Sequence, residues 1–200
     1  MKKAAAKHNQ WRDHYARRAK KERFPARSVY KLKEIQQKYN LIKKGDKVLD
    51  LGCAPGSWLL YAADLTGNKG EVVGIDLKPV SVRNPPHVRI YRGDILSMDD
   101  ELFKLTGKDF NVVLSDMAPA TTGSKYVDSA RSFNLCRAAL SIAQDTLISG
   151  GSFVCKIFQG EDFKKFSDSV KQRFNRHKIY KPKSSRKVSK EIYIIGFGKK

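Results

Sequence analysis

Apolar runs of strand length recur along this chain at about 47–51, 71–75, 88–92, 110–115 and 151–158. Helical stretches at about 57–65, 129–148 and 161–174 separate several of them, and strands alternating with helices predict a parallel sheet covered on both faces. Ahead of the first strand, Val29, Leu32 and Ile35 recur at three-residue steps within Ala26–Tyr39, as one face of a helix requires, and Pro25 suits its first turn. Two further runs, around 177–182 and 191–197, are joined by Pro182–Ser189, which has no room for a crossover helix. They should pair antiparallel. The prediction is therefore one α/β domain over residues 26–200, a Rossmann-like and mostly parallel seven-stranded sheet, preceded by a poorly patterned basic arm over 1–25. Residues 182–190 read as a mobile basic loop.

The first strand runs into Asp50-Leu51-Gly52-Cys53-Ala54-Pro55-Gly56-Ser57-Trp58, a glycine-bearing turn before a helix. Gly52 and Gly56 allow a sharp bend and close approach to a ligand. Ala54 and Pro55 replace the second glycine and the backbone N–H that a dinucleotide loop offers to pyrophosphate, which disfavours NAD. The acid at the strand end, Asp50, with a glycine turn and no phosphate cradle suits S-adenosylmethionine, a nucleoside with an amino-acid tail. Asp76, 24 residues after Gly52, ends the second strand near the spacing at which an acid meets ribose hydroxyls. Asp94 ends the third; it is either an acceptor for the adenine amino group or a turn aspartate after Gly93.

Asp116 closes the fourth strand at the sheet edge where open α/β folds bind ligands, unless it is a helix cap. Lys156 interrupts the apolar fifth run, as an edge lysine reaching solvent or as a polar anchor or base beside Asp116. Glu191 begins the last strand, and Lys31 sits on the helix before the first.

Two hundred residues, 40% apolar and 30% charged, is one globular domain's worth, and no apolar run approaches a membrane span, so a cytoplasmic protein is expected. Cys53, Cys136 and Cys155 lack C-x-x-C spacing and read as small buried residues, with no zinc site or other metal centre indicated. The net charge is +20 and sits at the two ends: residues 1–33 hold 12 Lys/Arg against 2 Asp/Glu, residues 34–155 hold 14 against 14, and residues 156–200 hold 14 against 4. A neutral middle flanked by basic ends implies a nucleic-acid partner. Trp11, Tyr15, Phe24 and Tyr30 among these basic residues are candidates for stacking on bases or for core, with core favoured for Tyr30.

Taken together, the Arg27-Ser-Val-Tyr-Lys31-Leu helix, Ser-Asp116-Met-Ala-Pro, Val-Cys-Lys156-Ile-Phe and Ser-Lys-Glu191-Ile-Tyr resemble the FtsJ/RrmJ (RlmE) family over nearly the whole chain. The resemblance implies a class I methyltransferase fold with the last strand antiparallel beside the fifth. It implies transfer from S-adenosylmethionine to the ribose 2′-hydroxyl of a nucleotide, a uridine, in large-subunit (23S-type) ribosomal RNA. The family's Lys-Asp-Lys-Glu tetrad falls on Lys31, Asp116, Lys156 and Glu191, and its cofactor contacts on Gly56, Trp58, Asp76, Asp94 and Asp116. Ser57 stands where the family usually has a second glycine, a local variation. Such chemistry needs no metal, and the partner is ribosomal RNA or the large subunit, with no membrane or obligate protein partner and a monomer as the simplest state. Alternatives are a 2′-O-methyltransferase of tRNA or an mRNA cap, or a non-catalytic RNA-binding assembly protein. A base N-methyltransferase would carry an Asn/Asp-Pro-Pro-aromatic loop, which Asp116-Met-Ala-Pro119 is not.

Overall fold

A computed structural model describes residues 14–120 and 122–200. Seven strands form one sheet: β1 (Lys47–Leu51), β2 (Glu71–Asp76), β3 (Val88–Arg92), β4 (Phe110–Ser115), β5 (Leu147–Phe158), β6 (Phe174–Tyr180) and β7 (Glu191–Lys199). Their order is β3-β2-β1-β4-β5-β7-β6. The β1 pairings with β2 and β4 are parallel, as are β2–β3 and β4–β5, whereas β7 runs antiparallel to both β5 and β6. Both antiparallel expectations are met, and β7 threads between β5 and β6. The strand order reverses direction at β1 and β4, which opens a crevice at their carboxyl ends.

Alternate strand residues feed two apolar layers, as a sheet buried on both faces demands. Leu49, Val73, Val113 and Phe153 pack with α5 (Lys125–Thr146) and α6 (Phe163–Arg173). Val48, Val72, Val112 and Val154 pack with α2 (Val29–Tyr39) and α3 (Ser57–Thr66) on the opposite face. Asp50 shares the parity of Val48, so the second layer ends on a carboxyl.

Several boundaries and two segments differ from the sequence reading. Described residues 14–21 are helical (α1), whereas a poorly patterned arm was expected there. Small and cationic contacts conceal the pattern: Ala19 is buried, the Tyr15 ring lies 5.2 Å from that of Tyr30, and the Arg18 guanidinium sits 4.8 Å above Tyr30. Tyr30 is core, as favoured, while Trp11 lies outside the described residues. Helix α4 (Asp100–Thr106) was not foreseen; its apolar residues are few, and its signals are the Asp99 carboxylate, which accepts from Leu102 N at 2.7 Å, and Gly107 just past its end. Strand β5 starts at Leu147, opposite Phe110, before a bulge brings Ser152 opposite Val112.

The loop expected to be mobile is tied down. Glu34 on α2 accepts hydrogen bonds from Lys183 N at 2.6 Å, Ser184 N at 2.8 Å and the Tyr180 hydroxyl at 3.3 Å. Arg27 Nη2 donates to Ser184 O at 2.8 Å, and Pro182, Ser184 and Ser185 are buried. One acid 150 residues away satisfies the donors that a basic, proline-containing segment cannot satisfy itself.

Candidate active site

The crevice at the carboxyl edge is a cleft of about 520 Å³, bordered among others by Gly52, Asp76, Asp94, Asp116 and Met117. Asp76, at the end of β2, accepts from Ala54 N at 2.9 Å and from Lys78 N at 2.8 Å. These two bonds fix its carboxylate against the β1–α3 turn. Asp94 Oδ1 accepts from Leu96 N at 2.9 Å and caps the short helical turn Ile95–Ser97, so it is a turn aspartate and a cleft residue at once. Gly52 has φ 77°, and a Cβ there would stand 2.2 Å from Met117 Cγ. Only glycine suits that wall of the cleft.

Three of the predicted cofactor residues lie behind this surface. Gly56 forms the N-cap of α3 with φ 106°. Trp58 is buried; its Nε1 donates to Ser28 O at 2.9 Å and its ring stacks at 5.8 Å on Tyr193, tying α2 to α3. Asp50 is 1% exposed, and its Oδ2 has no hydrogen-bond partner among the described residues. Burial pushes this carboxyl well above the usual range, and the negative charges of Asp116 and Asp76 add to the effect.

Lys31, Asp116, Lys156 and Glu191 converge from α2, the end of β4, β5 and β7. Lys156 Nζ lies 3.0 Å from Asp116 Oδ1 and also donates to the Asp116 main-chain carbonyl. Lys31 Nζ lies 2.8 Å from Glu191 Oε2 and 3.8 Å from Asp116 Oδ1. The antiparallel register sets Lys156 opposite Tyr193 and Phe158 opposite Glu191, so these side chains share a face at two-residue steps. Tyr193, which the sequence reading did not single out, is fully buried and donates its hydroxyl to Asp116 Oδ1 at 2.5 Å. Its signal was the same parity as Glu191, two residues along an otherwise apolar strand. Burial pushes the Asp116 carboxyl up, but the Lys156 and Lys31 ammoniums and the Tyr193 hydroxyl outweigh it and hold the group below its ordinary value. Burial and the Asp116 charge push the Tyr193 phenol well up, which keeps it a donor.

A second cavity, of about 340 Å³, opens on the other side of the tetrad and is bordered by Lys31, Glu191, Arg27, Ser184 and Arg186. Asp116 borders the first cleft and Lys31 and Glu191 the second, and Lys156, which pairs with Asp116, is buried behind them. All three cysteines are buried. Among the described residues no set of three His, Cys, Asp or Glu side chains could hold a metal ion, and no helix is long and apolar enough to cross a membrane.

The FtsJ-like methyltransferase family matches residues 24–199. The chain belongs to that family. A protein of Desulforapulum autotrophicum named Ribosomal RNA large subunit methyltransferase E is 61% identical over 194 residues, covering 97% of this chain and 96% of its own. Proteins of the same name from Desulfosudis oleivorans and Desulfatibacillum aliphaticivorans are 54% and 53% identical, covering 100% and 96% of this chain and 97% and 93% of their own. Among solved structures, one described as a ribosomal RNA methyltransferase from Plasmodium falciparum superposes with a TM-score of 0.77 at 29% identity, over 88% of this chain and 98% of that one.

Proposed function

We propose that this enzyme transfers a methyl group from S-adenosylmethionine to a ribose 2′-hydroxyl in large-subunit ribosomal RNA, acting in the cytoplasm. The observation that carries the reading is the double role of Asp116, which borders the 520 Å³ cleft and pairs with Lys156 at 3.0 Å. A donor in the cleft and an acceptor in the second hollow would meet at that pair.

The residues present fit the donor. Asp76 offers a fixed carboxylate to ribose hydroxyls, Asp94 an acceptor for an adenine amino group, and the unpartnered Asp50 Oδ2 an acceptor for a cationic amino-acid tail. When bound, S-adenosylmethionine supplies a sulfonium methyl already activated for displacement, with a neutral thioether as leaving group. What remains for the protein is to hold the oxygen in line and take its proton. Lys156, whose direction is fixed by its carboxylate and carbonyl partners at Asp116, is the group assigned to orient the hydroxyl and, once its own proton has been given up, to take the hydroxyl proton. Lys31 and Glu191 border the acceptor hollow and orient the ribose there. The surplus of cations at residues 1–33 and 156–200 supplies charge for an RNA backbone, and part of it is carried by α1, which packs on the domain.

Methylation blocks the 2′-oxygen from attacking its own phosphate, so the product shows as a gap in an alkaline-hydrolysis ladder. One gap in large-subunit RNA that depends on the protein is the expected result. A continuous ladder with methyl label recovered on a base would overturn the ribose assignment. Assembled particles should react faster than short naked RNA, because a chain with few base-reading contacts relies on a pre-folded target.

A further inference from the structure

The second hollow is built from a segment that the tetrad does not explain. Residues 181–190 are pinned by Glu34 to the Lys183 and Ser184 amides and by Arg27 to the Ser184 carbonyl, so their backbone is set before any ligand arrives. Ser184 is 3% exposed and borders the hollow, yet its Oγ has no hydrogen-bond partner among the described residues. A buried hydroxyl left unpaired costs free energy unless something outside the chain completes it. Arg186 borders the same hollow, is exposed, and its guanidinium has no carboxylate partner among the described residues. The one acid present, Glu191, is already paired with Lys31 at 2.8 Å. The hollow therefore presents uncompensated positive charge beside a buried hydroxyl that lacks a partner, which together suit a singly charged oxyanion.

We propose that Ser184 and Arg186 form a phosphate site, taking the phosphodiester on the 3′ side of the ribose that is methylated. This deepens the function proposed above and rests on it. In a ribonucleotide the 2′-hydroxyl and the 3′-phosphodiester are carried by adjacent ring carbons. A protein that grips the phosphate thus fixes the hydroxyl within a few ångströms, and the hollow that holds Ser184 and Arg186 also holds Lys31 and Glu191. Arg186 supplies charge and a forked donor set, and Ser184 a short rigid donor on a backbone that cannot drift. The contact reads no base. It positions the strand, while sequence choice is left to the fold of the target.

A single phosphorothioate tests the site, because it replaces one non-bridging oxygen, the hydrogen-bond acceptor, while the linkage stays charged and stable beside a free 2′-hydroxyl. Large-subunit RNA carrying that substitution immediately 3′ or immediately 5′ of the mapped target is reconstituted into particles and methylated with labelled S-adenosylmethionine. The unaltered enzyme should slow about tenfold on the 3′ substitution and little on the 5′ one, the size of a weakened charge-assisted hydrogen bond. Arg186→Ala should slow about tenfold on all-phosphate RNA and then be indifferent to the 3′ substitution; Arg186→Lys should recover part of the loss. Ser184→Ala should lose less, and S-adenosylmethionine affinity should be unchanged in every variant. Equal sensitivity of Arg186→Ala and the unaltered enzyme to the 3′ substitution would overturn the phosphate site, as would sensitivity confined to the 5′ side. Neither result touches ribose methylation itself, which only the absence of a protein-dependent ladder gap would overturn.

Discussion

Asp116 meets Lys156 twice, through its carboxylate at 3.0 Å and through its own main-chain carbonyl. Parallel neighbours β4 and β5 bring the two residues together at the sheet's carboxyl edge, and Lys156 is 6% exposed. A lysine this deep within a strand is tolerable because both of its acceptors come from one adjacent residue. The nitrogen is thereby aimed, as proton transfer by its neutral form requires.

Replacing Lys156 by Ala should abolish methyl transfer, a loss of at least about a hundredfold, the usual scale for a removed general base. Lys156→Arg should fail as well, since a guanidinium is not a base at neutral pH and has another shape. Calorimetric titration should find S-adenosylmethionine affinity nearly unchanged in both. Near-normal turnover by either variant would remove Lys156 from the reaction.

The Tyr193 hydroxyl at 2.5 Å helps to hold Asp116 ionised, and this has a pH signature. Asp116 titrates below its ordinary value, so its contribution to stability is present above the unfolded carboxyl range and disappears as pH falls through the folded value. Tyr193→Phe removes one of the groups that lower it. The acid limb of stability should move to higher pH, with a cost at neutral pH of about 1.5–3 kcal/mol, the scale of a hydrogen bond to a charged group. Urea unfolding across the acid range measures both. An unshifted acid limb would show that the two lysines alone set the carboxylate.

Asp50 carries the opposite sign. Its carboxyl is pushed well up by burial, so its stabilising contribution is full below the unfolded carboxyl range and is lost as pH rises through the raised folded value. Without cofactor, Asp50→Asn should therefore gain stability relative to the unaltered protein as pH rises. S-adenosylmethionine affinity should move the other way and weaken. Thermal melts at mildly acidic and mildly alkaline pH, with and without S-adenosylmethionine, separate the two effects; a pH-independent difference would contradict the carboxyl's altered titration.

The parallel strands, the glycine turn, Asp116 and Lys156 were legible because each leaves a local mark: an apolar run, an acid at its end, or a charge where apolar residues are expected, whereas Lys31 and Glu191 leave none and were reached through the family resemblance. Tyr193 was not, because a tyrosine in an apolar strand looks like core until the register with Lys156 is known. Trp58 shows the converse, since its place in a cofactor turn concealed a packing role against Tyr193. Helix α1 and the anchored loop depend on partners far along the chain, Tyr30 for one and Glu34 for the other. No local window contains them.

Glu34 should behave as the clasp of residues 181–190. Glu34→Ala strips acceptors from Lys183 N, Ser184 N and the Tyr180 hydroxyl, at a cost of about 1–3 kcal/mol for the groups left unpaired. Hydrogen exchange at residues 183 and 184 should accelerate while β1 and β4 remain protected. Glu34→Gln, which keeps one acceptor oxygen, should restore part of the protection. Unchanged exchange at those two amides would mean that the loop is held by packing alone.

The N-terminal charge divides into two parts with different expected effects. Residues 1–13 carry four Lys/Arg against one Asp and lie outside the described residues. Removing them should weaken RNA binding and flatten the dependence of log K on log salt, by about 0.7 for each single-strand phosphate that is no longer neutralised. Cofactor binding and melting temperature should stay as they were. Removing residues 1–23 takes α1 as well, and with it Ala19, the Tyr15–Tyr30 packing and the Arg18–Glu22–Lys33 chain of ion pairs at 2.7 and 2.5 Å. That longer deletion uncovers Val29 and Tyr30 on α2, the helix that carries Lys31, and should lower stability in addition to RNA affinity. Salt titrations of RNA binding and thermal melts on both truncations distinguish the two parts. A salt slope unaltered by the shorter deletion would show that its charge does not touch RNA, and an unaltered melt in the longer one would show that α1 is not part of the folded unit.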